Sequence, residues 1–234
     1  MWLDPSNTTT TGLGSGAVLA YDHRGHGKSD ALNGAHTQED LVTDAVNLIE
    51  SWNHGPVVWI GLSLGGMVGQ GLAIRRPDLV SALVLAHTTS QYSSETKLAW
   101  NTRISAVRAG GMAAVADLVL SRYLSEPFRQ AHPDVARALY EQLLHTDPEG
   151  YAICCHAVSQ VNWLEHLHQI RCPTLVLAGA HDMGAPPAMS RVLAQQIPGA
   201  QLHIFDKSAH LSCTEEPEAF RALVKTFIQL LTIS

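Results

Sequence analysis

The chain has 234 residues, enough for one α/β domain with an inserted segment and ample to bury a core. Its 46% hydrophobic and 15% charged residues read as globular and exclude a disordered chain. A net charge of −6 without a block of like charges excludes a nucleic-acid footprint, and the 13 histidines are too scattered for a metal-binding tract.

Met1 to Pro5 has neither the basic start nor the apolar stretch of a secretory leader. Gly12-Leu13-Gly14-Ser15-Gly16 is no phosphate loop, because it precedes a strand and lacks the Lys-Ser/Thr pair. Ala17–Tyr21 is the first predicted strand. A glycine-punctuated turn follows, Asp22-His23-Arg24-Gly25-His26-Gly27-Lys28-Ser29-Asp30, where an Arg between carboxylates suggests a structural clamp. His23 and His26 lack a third ligand nearby, so no metal is expected there.

Thr37 opens a helix with Asp40 three residues on, a capping-box pattern, and Leu41, Ala45, Leu48 and Ile49 give it one apolar face. Pro56–Ile60 is the second predicted strand, Leu64–Arg75 a helix that stops before Pro77, and Ala82–Ala86 the third strand. These strands are continuous apolar runs, as a parallel sheet covered on both faces requires. The region from Val57 to Ile74 approaches membrane-span length, but Ser63, Gln70 and the glycines fit a buried strand and helix better.

From residue 89 to 167 the pattern is helical throughout, with predicted helices at 98–108, 112–124, 134–144 and 150–160. Alternation resumes with a strand at 173–178, a helix at 187–197, a strand at 200–205 and a helix at 216–231. The expected architecture is therefore an α/β core, residues 1–88 plus 168–234, interrupted by a helical lid at 89–167. Cysteines 154, 155, 172 and 213 make neither a zinc pattern nor a C-x-x-C pair. Reduced thiols and the absence of a visible leader point to the cytoplasm.

Chemistry concentrates at Gly61-Leu62-Ser63-Leu64-Gly65, set between a buried strand and a helix. That is the context of a nucleophile elbow, in which Gly61 and Gly65 relieve crowding and the Leu64 N–H faces a developing oxyanion. A serine hydroxyl needs a base, and the base an orienting acid. Asp182, just past the fourth strand, and His210, just past the fifth, stand where ligands bind in open parallel sheets. The rivals are weaker: Asp206 suits a turn, His181 would displace the acid, and His203 lies inside a strand. The stretch after the third strand, Ala86-His87-Thr88-Thr89-Ser90, offers no carboxylate.

Together, Asp22-x-Arg24-Gly25-x-Gly27-x-Ser29-Asp30, Gly61-x-Ser63-x-Gly65-Gly66, Asp182 and Ser208-x-His210 resemble the α/β-hydrolase fold enzymes. Gly65-Gly66-Met67-Val68-Gly69-Gln70, Asp147-Pro148-x-Gly150-Tyr151 and Cys154-Cys155 are similar to the 3-oxoadipate enol-lactone hydrolase branch and its esterase relatives. The resemblance implies a mostly parallel sheet flanked by helices and acyl transfer to water through Ser63, His210 and Asp182, without a cofactor. Members carry three further strands before Ala17–Tyr21, and a His-Gly turn there supplies a second oxyanion N–H. Residues 1–16 hold no such turn, so the N-terminal part of the sheet reads as truncated. The Thr8–Gly16 backbone is a candidate replacement donor, and the uncovered sheet edge predicts a homo-oligomer.

The expected activity is a short-chain carboxylesterase acting on a small-molecule ester or lactone, with no nucleic-acid or membrane partner. Trp100, Tyr123, Trp163 and Met183 are candidates to line the acyl pocket. Arg103, Arg108 and Arg122 are candidate cations for a dicarboxylate lactone, but lone helix arginines are usually solvated, which disfavours a dedicated enol-lactonase. A perhydrolase using peroxide in place of water and a catalytically weak binding protein are the other open functions.

Overall fold

The computed structural model describes residues 17–30 and 36–231. The expectations for the first 16 residues, including the oxyanion role of Thr8–Gly16, lie outside the described residues. The sheet has four parallel strands in the order β1 (Val57–Leu62), β2 (Val80–Ala86), β3 (Thr174–Gly179) and β4 (Gln201–Phe205). Each step between neighbours is a helical crossover or the long insertion, as parallel pairing demands. β3 is buried throughout and β2 nearly so, whereas the edge strands β1 and β4 are partly exposed.

Alternation along β2 and β3 sends side chains to two cores. Leu83, Leu85 and Val176 face α1 (Gln38–Trp52), α2 (Leu64–Arg75) and α8 (Pro187–Gln196). Ala82, Val84, Ala86, Leu175 and Leu177 face Phe220, Val224 and Phe227 of α10 (Pro217–Leu231). α1 begins at the expected capping box: Thr37 accepts from Asp40 N, and Asp40 accepts from Thr37 N at 2.8 Å. Such a cap contributes roughly 1 kcal/mol.

Between β2 and β3 stand α3 (Ser94–Gly110), α4 (Ala116–Tyr123), α5 (Glu126–Ala131), α6 (Pro133–Leu144) and α7 (Pro148–Ser159). α5, not foreseen in the sequence, is a single short turn capped by Ser125. Val107, Met112, Val115, Val119, Leu143 and Tyr151 form a separate apolar cluster among these helices. Gln91 and Asn162 close the neck of the insertion by an antiparallel bridge. Beside this neck the insertion merges with the sheet core, because Ala157, Val158, Val161 and Trp163 pack there.

One expected strand does not form. Ala17–Tyr21 has no regular secondary structure, and Val18 and Leu19 are 47% and 40% exposed. A strand is defined by its partner's hydrogen bonds, and the described residues supply none on that side. The chain after it is held instead by its turn. Arg24 pairs with Asp44 on α1 and not with the flanking carboxylates. Asp22 instead accepts from Lys28 N at 3.0 Å inside the turn. Among the described residues no helix is long and apolar enough to cross a membrane.

Candidate active site

Ser63, His87, Asp182 and His210 follow β1, β2, β3 and β4 respectively, so adjacent strand ends deliver the four residues in sheet order. Ser63 takes φ 52° and ψ −112°, outside the regions open to ordinary side chains. Four hydrogen bonds hold it: its N–H donates to Ala86 O at 2.8 Å, and its carbonyl accepts Gly66 N, Met67 N and the Thr88 hydroxyl at 3.0, 3.0 and 2.8 Å. Such strain costs on the order of 1–3 kcal/mol and persists only where surroundings over-determine it. The N–H groups of Leu64 and Gly65 donate to no backbone acceptor among the described residues, so the N-terminus of α2 presents free donors beside Ser63.

The glycines divide their work differently from the expectation. A Cβ on Gly61 would lie 2.2 Å from Gly65 O, and one on Gly66 2.7 Å from Thr88 Cγ2. A Cβ on Gly65 would meet nothing within 4 Å among the described residues. Gly61 and Gly66 are therefore the positions where the elbow excludes a side chain, and Gly65 is not.

Asp182 is buried and fully engaged. Oδ1 accepts Gly184 N at 2.8 Å and Ala185 N at 2.9 Å, and Oδ2 accepts His210 Nδ1 at 2.8 Å. Burial alone would raise its pKa. The hydrogen bond and charge of His210, with His87 and the Ala185 N–H, outweigh it and hold the carboxyl well below the usual range. The His210 loop is fixed from below and above. Ala209 N donates to Glu215 at 2.7 Å, Ser208 Oγ to Glu216 at 2.6 Å, and Leu211 N to Tyr123 O of α4 at 3.1 Å. No hydrogen bond joins Ser63 Oγ to His210 among the described residues.

The remaining candidates separate. The Tyr123 ring stacks on His210, with centroids 5.7 Å apart. Met183 beside Asp182 is 71% exposed. Trp163 is buried in the sheet core against Gly71, and Trp100 packs between both cores under the Arg103 guanidinium. Asp206 and His181 are exposed, and His203 packs on Phe205.

Sequence reasoning missed two features. The first is His87, fully buried at φ +50°, whose Nδ1 lies 3.1 Å from Asp182 Oδ2. Its signal was a polar residue at a strand end, discounted because it is not a carboxylate. His87, Asp182 and His210 bring nitrogen and oxygen atoms within 4.8 Å of one another. Separations of 2.8 and 3.1 Å are those of protons shared between the pairs. The second feature is the pairing of Arg103 with Arg122. Burial and the neighbouring Arg103 lower the Arg122 pKa, and its buried Nε has no hydrogen-bond partner. Neither arginine has a carboxylate within 4.0 Å among the described residues. Burial raises the Tyr92 pKa, with the Asp182 charge adding to the rise and the charges of Arg103 and Arg122 opposing it.

Residues 14–217 match the family model described as "Serine aminopeptidase, S33". The chain is 31% identical to 3-oxoadipate enol-lactonase 2 of Acinetobacter baylyi, over 91% of this chain and 78% of that one. It superposes on the crystal structure of the enol-lactonase from Burkholderia xenovorans with TM-score 0.85 and 35% identity, covering 89% of this chain and 79% of that one. A thermophilic esterase from Thermogutta terrifontis, solved with malate bound, gives TM-score 0.84 and 28% identity over 90% of this chain and 78% of that one. With its parallel sheet, its strained serine turn and its Asp–His pair on adjacent strand ends, the chain belongs to the serine aminopeptidase S33 family of α/β-hydrolases, near the enol-lactonase branch.

Proposed function

We propose that this hydrolase cleaves a small carboxylic ester or lactone through an acyl-enzyme on Ser63. The observation that carries the reading is the Asp182–His210 hydrogen bond, made at the ends of β3 and β4 in the same parallel sheet whose first strand, β1, ends at the Ser63 turn. Ser63 Oγ attacks the carbonyl while His210 Nε2 takes its proton. The Leu64 N–H receives the oxyanion. His210 then protonates the leaving oxygen and activates water, which releases the acid and restores Ser63. Asp182 keeps the proton of neutral His210 on Nδ1, leaving Nε2 free to act as base.

Arg103 and Arg122 favour a substrate that itself carries a carboxylate, over the neutral short-chain ester. Neither guanidinium has a carboxylate within 4.0 Å among the described residues; the charge of both is felt at Tyr92, and that of Arg103 at Tyr123, which stacks on His210. The buried Nε of Arg122 has no hydrogen-bond partner, and an entering carboxylate would supply one. The enol-lactonase relatives and the malate-bound esterase support the same direction. Arg122→Ala is expected to raise KM about 10–100-fold for a carboxylate-bearing ester or lactone. For the matching methyl-capped substrate KM should stay within about twofold. Equal effects on both substrates would sink the anionic-substrate reading and leave the esterase reading in place.

Among the described residues no strand pairs with the outer edge of β1, where Ile60 is 38% exposed, and this supports association of two chains. Light scattering that returned a monomer at working concentration would rule that out.

A further inference from the structure

The carboxylate of Asp182 is held from two sides by imidazoles. His210 Nδ1 and His87 Nδ1 both reach Oδ2, at 2.8 and 3.1 Å, with ring centroids 5.6 Å apart and planes at 66°. The proton positions follow from the partners. An ionised carboxylate only accepts, so His87 must carry its proton on Nδ1. Its Nε2 is then an acceptor, and the Ser212 hydroxyl, 2.6 Å away, must donate to it. Ser212 and His87 are both fully buried. Burial also pushes the His87 pKa down, in keeping with a neutral ring.

The arrangement mirrors the other side of the site. A hydroxyl, an imidazole and the shared carboxylate stand in the same order as Ser63, His210 and Asp182, but Ser212 is sealed from solvent. The two residues after β2 reach in opposite directions. Thr88 Oγ1 holds the Ser63 carbonyl at 2.8 Å, while His87 holds Asp182.

We propose that His87 is a positioning residue for hydrolysis. Kept on its Nδ1–H tautomer by Ser212, it fixes the Asp182 carboxylate and takes a share of Oδ2 that would otherwise serve His210 alone. The proposal rests on the Ser63–His210–Asp182 reading and adds a second imidazole that sets the acid's strength as an acceptor. The other titratable and charged groups around the pair are Tyr123 stacked on His210, Tyr92, His181 beside Asp182, and Cys213 and Glu215 on the short helix Ser212–Glu215. Arg103 and Arg122 lie beyond the tyrosines, and Glu216 holds Ser208.

Removing the His87 donor leaves Oδ2 wholly to His210, which favours the imidazolium form. His87→Leu is therefore expected to shift the acid limb of kcat/KM upward by about half to one pH unit. The same variant should lower kcat about 10-fold with KM within about twofold. His87→Asn places an amide N–H near the position of Nδ1–H, and its acid limb should stay within about 0.2 pH units of the parent. An unmoved limb in His87→Leu, or an equal shift in both variants, overturns the proposal. Imidazole 15N NMR of the unmodified protein needs no variant to fold. It should find His87 neutral and protonated on Nδ1 between about pH 6 and 8, and a ring protonated on Nε2 alone overturns the proposal as well. Failure of a fluorophosphonate to label the unmodified protein would instead remove the esterase reading and leave the His87 tautomer result standing.

Discussion

Ser63→Ala is expected to lower turnover by about 10⁴-fold or more and to abolish fluorophosphonate labelling. The folded structure should survive the change. The Ser63 hydroxyl makes no hydrogen bond among the described residues, and the turn is held through the backbone of residue 63. The stability change should therefore lie within about 0.5 kcal/mol. Ser63→Gly should be equally inactive but more stable than Ser63→Ala by roughly 1 kcal/mol, because only glycine enters φ 52°, ψ −112° without a Cβ penalty. Labelling that persisted in Ser63→Ala would move the nucleophile elsewhere. A Ser63→Gly variant less stable than Ser63→Ala would show that the turn carries no strain.

Gly179→Ala is expected to damage both stability and catalysis from a residue that touches no substrate. Gly179 ends β3, and a Cβ there would lie 2.1 Å from Ala209 O and 2.4 Å from Ser208 O. Backbone oxygens cannot rotate away, so the two segments must part. Those oxygens belong to the residues directly before His210, and Gly179 lies three residues before Asp182. The methyl group therefore wedges apart the two loops that carry the base and its acid. Overpacking of this kind costs about 1–3 kcal/mol, readable as a shift of the urea midpoint. A displacement of about 1 Å at the reacting groups costs roughly 10²-fold in kcat. Gly65→Ala is the matched control. With nothing within 4 Å of its Cβ among the described residues, it should be neutral or slightly stabilising to the fold. Wild-type kcat in Gly179→Ala would refute the close approach of the two loops.

The local elements were largely legible in the sequence. The helix expected at Leu64–Arg75 has those bounds, and the capping box at Thr37 forms both of its bonds. The strands at β1 to β4 lie within a few residues of their apolar runs. Such features depend on neighbours three or four positions away, or on a continuous apolar run, and both are printed in the chain. The order of Ser63, Asp182 and His210 along the chain also places each after its own strand, and a parallel sheet brings strand ends together by construction.

Four outcomes were decided only by tertiary structure. Ala17–Tyr21 has the composition of a strand but pairs with nothing among the described residues, because a strand needs a neighbour's hydrogen bonds and composition cannot supply them. Gly65 belongs to the motif, yet the crowding falls on Gly61 and Gly66, since contact depends on how α2 leaves the turn. Arg103 and Arg122 read singly as solvated helix cations, and only the packing of α3 against its neighbours sets them together without an acid. His87 read as a strand-end residue without a role. It lies 95 positions from Asp182 and 125 from Ser212 along the chain, and its place beside the Asp182–His210 pair exists only once three strand ends and a short helix converge. The sequence by itself determined the strand–turn–helix around Ser63 and the strand-end posts of Asp182 and His210, because both are written in short-range patterns. Which groups share the Asp182 carboxylate and which cations face the site were settled by folding, because hydrogen bonds and charge act through distances that no short-range pattern encodes.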